Sequence, residues 1–176
     1  MVSTEDRWVF AYGSLIWNPG FEFERCVPAR LRGYHRKLCV YSFHYRGNPD
    51  TPGLVFGLDR GGSCQGVAYK IAAANWPAVH EYLTKRELIT EVYREVIKPV
   101  TLVNGGGTVH AMTYVVNHGH PQCARTLKDE IILQLVRQGH GEAGFNIDYV
   151  RATHRKLAEL GIRDDNLDRI AALLDS

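Results

Sequence analysis

Trp8-Val9-Phe10-Ala11-Tyr12-Gly13-Ser14-Leu15-Ile16-Trp17 is the stretch that decides how this chain is read. Its first residues are bulky and apolar enough for a buried strand. The strand stops at a glycine and a small hydroxyl residue before another apolar pair resumes. Gly13 has no Cβ, so a ligand can approach the main chain there, and the turn can take angles other residues avoid. A strand ending in such a turn offers fixed backbone N–H groups to a carboxylate or a developing oxyanion. The same letters also suit an ordinary turn between core residues. The pattern marks a place for a site without naming its chemistry.

Working outward, residues 8–12 read as a strand, followed by a loop at Asn18-Pro19-Gly20. A β-rich stretch runs over about residues 29–45, and Gly47-Asn48-Pro49-Asp50 marks a turn. Residues 54–58 and 66–71 read as two strands joined hairpin-fashion through Asp59-Arg60-Gly61-Gly62-Ser63. Asn75 suits an N-cap and Pro77 the first turn of a helix reaching about Lys85, with Val79, Tyr82 and Leu83 at helical spacing. Residues 91–103 and 108–117 alternate around Gly105-Gly106-Gly107 as a second hairpin.

The last third changes period. Residues 123–138 carry Leu127, Ile131, Leu135 and Val136 on one stripe, residues 147–160 carry Ile147, Val150, Leu157 and Leu160, and residues 164–174 form a shorter helical pattern. Strands followed by helices indicate an α+β fold rather than repeating βαβ units. At 176 residues, with no linker or repeat, the chain suits one domain, residues 1–176.

Composition narrows the function. A net charge of +2 is too small to imply a nucleic-acid partner. The cluster Arg30, Arg32, His35, Arg36 and Lys37 reads as the solvated face of a strand. Cys26, Cys39, Cys64 and Cys123 lack zinc-type spacing and read as free thiols in a reducing compartment. The N-terminal Met1-Val2-Ser3-Thr4-Glu5-Asp6-Arg7 is unlike a signal peptide, and no stretch approaches the roughly 20 apolar residues of a membrane span. A cytoplasmic protein with no membrane partner is expected; oligomeric state is not legible. His118 and His120 with His140 lack a third acidic or thiol ligand and read as loop histidines, so no metal is expected. Ser14 lies outside a G-x-S-x-G elbow, and Gly105-Gly106-Gly107 lacks the Lys-Ser/Thr of a phosphate loop.

Glu87 follows Tyr82-Leu83 and precedes Leu88-Ile89, where the first helix gives way to a strand. In that apolar setting a carboxylate is partly desolvated, its pKa rises, and it can act as base and then acid. The other reading is a solvated Glu at a helix end, paired with Lys85 or Arg86. Tyr93 and Tyr149 carry hydroxyls able to reach a ligand carboxylate, with core packing the first reading of each.

Several segments together resemble the ChaC family of γ-glutamylcyclotransferases. They are Tyr12-Gly13-Ser14-Leu15-Ile16-Trp17-Asn18-Pro19-Gly20, Gly33-Tyr34-His35-Arg36, Pro52-Gly53-Leu54-Val55-Phe56-Gly57-Leu58, Gly61-Gly62-Ser63-Cys64, Tyr82-Leu83 with Arg86-Glu87, Val92-Tyr93, and Gly161-Ile162-Arg163-Asp164. The likeness runs in order over almost the whole chain. It implies a small mixed β-barrel flanked by helices and a lyase reaction that releases 5-oxoproline and Cys-Gly from glutathione. It makes Tyr12, Gly13, Ser14 and Leu15 the substrate loop and Glu87 the general acid/base. Residues 42–45 and the flanks of Arg46-Gly47 follow the family pattern loosely, which leaves the leaving-group side of the pocket open. No cofactor is implied, because the nucleophile belongs to the substrate. The Gly13–Leu15 turn binds either the oxyanion or the α-carboxylate. Two alternatives stand beside glutathione: lactam formation from other γ-glutamyl amines or dipeptides, and a non-catalytic regulatory protein of cation transport.

Overall fold

The computed structural model describes residues 6–176, so Met1 to Glu5 of the polar N-terminus lie outside the described residues. In chain order the elements are β1 (Arg7–Ala11), a 3-10 turn (Ser14–Ile16), β2 (Arg25–Ser42), β3 (Gly53–Ile71), α1 (Trp76–Glu87), β4 (Tyr93–Leu102) and β5 (Thr108–Val116). Then come α2 (Asp129–Gln138), the two-residue strands β6 (His140–Gly141) and β7 (Gly144–Phe145), α3 (Asn146–Glu159) and α4 (Asp165–Asp175). The first five strands close into a barrel in the order β1-β3-β2-β4-β5. β1 runs parallel to β5 while every other pair is antiparallel. This is the mixed barrel with flanking helices that the resemblance implied. Val9, Phe10 and Ala11 are all buried. A strand covered on both faces reads as a continuous apolar run, which is why β1 was legible.

The expected hairpin inside residues 54–71 does not form. β3 is one strand, paired with β2 almost end to end, from Arg25 opposite Lys70 to Ser42 opposite Gly53. Gly61 and Gly62 have φ of 98° and 65°, and Gly33, across the pair, has φ of 87°. The register shifts between Arg32 and Tyr34. Facing glycines thus let both strands bend together at a bulge, where the sequence suggested a reversal.

The helices are corrected in detail. Asn75 occupies the N-cap position of α1, but its side chain caps nothing. α2 begins at Asp129, six residues later than the periodicity suggests. Cys123 bridges Val40, and the Ala124 N–H donates to the Cys39 carbonyl at 2.8 Å, so that backbone is committed to β2. Ile131, expected on the apolar stripe, is exposed, while Ile132 packs against the core with Leu135 and Val136. Among the described residues no helix is long and apolar enough to cross a membrane.

One edge of β3 is finished by side chains instead of a strand. The Asn146 amide at the start of α3 accepts from the Leu54 N–H and donates to the Leu54 carbonyl, both at 2.7 Å. Two residues on, the Phe56 N–H donates to the Tyr149 hydroxyl at 3.0 Å, and the Tyr93 hydroxyl donates to the Phe56 carbonyl at 2.6 Å. Buried backbone groups need partners, and these three side chains supply them where the barrel wall opens. Replacing Asn146 with Ala leaves two buried groups on Leu54 stranded. The expected cost is about 1–3 kcal/mol for each, read as a lower midpoint in urea unfolding. An unchanged midpoint would contradict this account.

Candidate active site

β1 delivers Tyr12 to the barrel rim, and the chain turns there through Gly13 into the 3-10 turn. Inside the turn, the Ile16 N–H donates to the Gly13 carbonyl and the Asn18 N–H to the Ser14 carbonyl. The N–H groups of Gly13, Ser14 and Leu15 find no acceptor among the described residues. A Cβ at Gly13 would stand 3.4 Å from the Tyr149 hydroxyl and 3.6 Å from Phe56 Cβ, filling the space in front of those groups. Both distances are ordinary van der Waals contacts, so a methyl group would fit there.

Two arginines fix the turn. Arg36, on β2 and 4% exposed, donates from Nε to the Tyr12 carbonyl, from Nη2 to the Gln65 carbonyl and from Nη1 to Asp164 Oδ2, each at 2.5 Å. Asp164 in turn caps α4, its Oδ1 accepting from the Leu167 N–H. A trans peptide sets its N–H opposite its C=O. Anchoring the Tyr12 carbonyl on Arg36 therefore turns the Gly13 N–H the other way. Arg36 is thus not on the solvated strand face expected for it: it is buried and its charge is paired. Arg86, in the last turn of α1, donates to Ser14 Oγ at 3.0 Å, to the Asn18 carbonyl at 2.7 Å and to the Tyr82 hydroxyl at 2.8 Å. It ties the helix that carries Glu87 to the loop.

Glu87 closes α1 with its side chain 17% exposed. Its Oε1 lies 3.3 Å from Arg86 Nε, while Lys85 pairs with Glu81. Of the two readings of Glu87, the structure supports the desolvated one, with Arg86 beside it. Burial raises its pKa above the ordinary carboxylate value, and the Arg86 charge pulls partly the other way. Burial, with the Glu87 charge adding to it, also raises the phenol pKa values of Tyr12, Tyr93, Tyr114 and Tyr149. These phenols are neutral hydrogen-bonding groups around one carboxyl.

A cavity of about 540 Å³ brings the pieces together. Its lining includes all seven residues singled out in the sequence: Tyr12, Gly13, Ser14, Leu15, Glu87, Tyr93 and Tyr149. It also includes Arg86, Tyr114 and the β2–β3 loop residues Phe43, Tyr45 and Arg46, none of which was assigned to the site from sequence. The Arg46 guanidinium lies 5.9 Å from the Trp17 ring centroid and 5.4 Å from that of Tyr149. The loosely matched segment 42–46 is therefore a wall of the pocket. The His118 ring pairs with Asp59 at 2.6 Å, and His120 Nδ1 accepts from the Gln122 N–H.

The sequence matches the model of the ChaC-like protein family over residues 7–176. The chain belongs to the ChaC-like family. Among curated relatives, this ChaC-like chain is 33% identical over 161 residues to the "Glutathione-specific gamma-glutamylcyclotransferase" of Escherichia coli K12, covering 92% of this chain and 69% of the relative. It is 32% identical over 174 residues to "Gamma-glutamylcyclotransferase 2-3" of Arabidopsis thaliana, covering 93% and 86%. Its fold superimposes on the crystal structure of a glutathione-specific γ-glutamylcyclotransferase from yeast with a TM-score of 0.88, at 21% identity and over 97% and 96% of the two chains. The ChaC-like barrel is thus the same in both.

Proposed function

We propose that this chain cyclises the γ-glutamyl group of glutathione, releasing 5-oxoproline and Cys-Gly, with Glu87 as the group that carries the proton. The observation that carries this reading is the meeting of a desolvated Glu87 with the unpartnered N–H groups of residues 13–15 in one cavity. The names of the relatives at 33% and 32% identity support the reaction class.

The α-amino nitrogen of the substrate attacks its own γ-carbonyl carbon. The new C–N bond closes a five-membered lactam, and the bond from that carbon to the cysteine nitrogen breaks. An α-ammonium has a pKa of about 8, so near neutrality it must first lose a proton. On becoming a lactam N–H it gives up two protons in all, and the departing nitrogen gains two as the ammonium of Cys-Gly. The net reaction neither takes up nor releases a proton. A carboxyl that accepts one from the nucleophile and returns one to the leaving nitrogen, with solvent exchanging the other, meets that need. The turn N–H groups hold a negatively charged oxygen, either the α-carboxylate or the developing oxyanion. Folding the glutamyl arm into a near-attack shape contributes on the order of 7–11 kcal/mol in well-oriented intramolecular reactions.

The unpaired Cys26, Cys39, Cys64 and Cys123 suit a reducing compartment, which supports a cytoplasmic location. The test is to incubate the purified protein with glutathione and, separately, with γ-glutamyl dipeptides, and to measure 5-oxoproline in each. Release from glutathione together with Cys-Gly is expected. Release from the dipeptides alone would move the substrate class, and none from any of them would overturn the reading.

A further inference from the structure

Among the described residues, one buried side-chain oxygen or nitrogen has no hydrogen-bond partner: the Tyr114 hydroxyl. Tyr114 is 1% exposed and sits on β5 opposite Glu95, and it lines the cavity with Tyr12 and Glu87. Three other phenols of the barrel and α3 are occupied with the main chain. Tyr69 donates to the Leu15 carbonyl at 2.7 Å, Tyr93 donates to the Phe56 carbonyl, and Tyr149 accepts from the Phe56 N–H. Tyr114 alone of these four holds nothing in place.

A buried hydroxyl left without a partner costs a fold about 1–3 kcal/mol, and phenylalanine fills the same volume without that cost. Such a group is explained if a partner arrives with the ligand. Burial, with the Glu95 and Glu87 charges adding to it, keeps the phenol protonated, so it remains a donor through the neutral range. The ligand of this cavity, on the reading above, brings oxygens that are negatively charged or become so.

We infer that Tyr114 is a further substrate-binding residue, whose hydroxyl donates to an oxygen of the bound γ-glutamyl group. The inference rests on the proposed function and adds to it a contact that the residues 12–15 loop and Glu87 do not supply. The step is a hydrogen bond, with no bond made or broken at the phenol.

The test is Tyr114→Phe, with thermal unfolding and glutathione turnover measured on the same preparations. The expected result is a Tm equal to the parent's or higher, because an unsatisfied polar group has gone, with kcat/KM lowered 10- to 100-fold. A second arm uses saturating glutathione in the Glu87→Gln background, where ligand persists. The Tm rise caused by glutathione should shrink when Tyr114→Phe is added. Turnover within twofold of the parent and an undiminished ligand-induced rise would overturn the inference while leaving the proposed function standing. A Tm that falls along with activity would make Tyr114 a packing residue and overturn it as well. A parent protein that releases no 5-oxoproline overturns the function itself, and the inference with it.

Discussion

Glu87→Gln is expected to leave the barrel intact and to remove nearly all release of 5-oxoproline from glutathione. Glutamine matches glutamate in shape and keeps a polar oxygen near Arg86, 3.3 Å away in the parent, but it cannot accept and return a proton. General acid–base catalysis is worth roughly 10²–10⁴-fold, and a loss in that range is the expected readout. Stability should move the other way. Burial raises the Glu87 pKa in the folded protein, so the native state binds its proton more tightly than the unfolded chain does. The charged carboxylate therefore weighs against folding at neutral pH, and that penalty fades as pH falls through the raised pKa. Glutamine removes it, so Tm in neutral buffer should hold or rise. The same shift fixes the parent's pH profile: kcat/KM should fall on the acid side at a pH above the ordinary glutamate value of 4.5, where the base becomes protonated. Turnover of the variant within a few-fold of the parent would move the proton to another group.

The role proposed for Glu87 depends on where α1 ends. The helix stops at Glu87, and Arg86 reaches back to Ser14 and the Asn18 carbonyl. Glu87 and the loop are thus set by the same turn of helix. Across the cavity, Tyr93 and Tyr149 use their hydroxyls to hold the Phe56 backbone. Both residues therefore pack against the barrel and line the cavity at once, while a contact from either hydroxyl to substrate belongs to the proposed function.

The strand from Trp8 onward, the β4–β5 hairpin and the order of strands before helices were legible because local patterns decide them. The β2–β3 ribbon was not. Alternation places Ala29 and Leu31 inside β2, and continued without a break it would put residues 33, 35 and 37 inside as well. At the bulge Gly33 alone faces two residues of β3, Gly61 and Gly62, so the alternation of β2 slips by one and the buried positions become Arg36 and Leu38. A reader counting by twos therefore assigns Arg36 to solvent. The signal that could have corrected the count is the set Gly33, Gly61 and Gly62, since glycines facing one another across a pair mark a bend. Tyr114 was hidden for a different reason: its distinction is a missing partner, which only three-dimensional packing reveals. The start of α2 was missed because residues 123–128 are helical by period, but Cys123 and Ala124 are paired with Val40 and Cys39 of β2, and Arg125 turns away with φ of 55°.

Arg36→Met is expected to produce the largest loss of stability, with activity falling beyond what unfolding explains. The substitution strands the Tyr12 and Gln65 carbonyls and leaves Asp164 Oδ2, on a side chain 18% exposed, without its cation. Removing one partner of a buried ion pair costs about 3–5 kcal/mol. At roughly 2–4 °C per kcal/mol for a chain of this size, Tm should drop by about 6–20 °C. Asp164→Asn should be milder, because Arg36 keeps both carbonyls and the asparagine oxygen can still cap the Leu167 N–H, which lies 3.0 Å from Asp164 Oδ1. The informative measurement is turnover well below each variant's Tm, where both are folded. If Arg36 orients the Gly13 peptide, Arg36→Met should lower kcat there, and Asp164→Asn should stay closer to the parent. Equal loss of Tm in the two variants with full kcat in both would mean that the arginine braces the barrel against α4 and leaves the loop to orient itself.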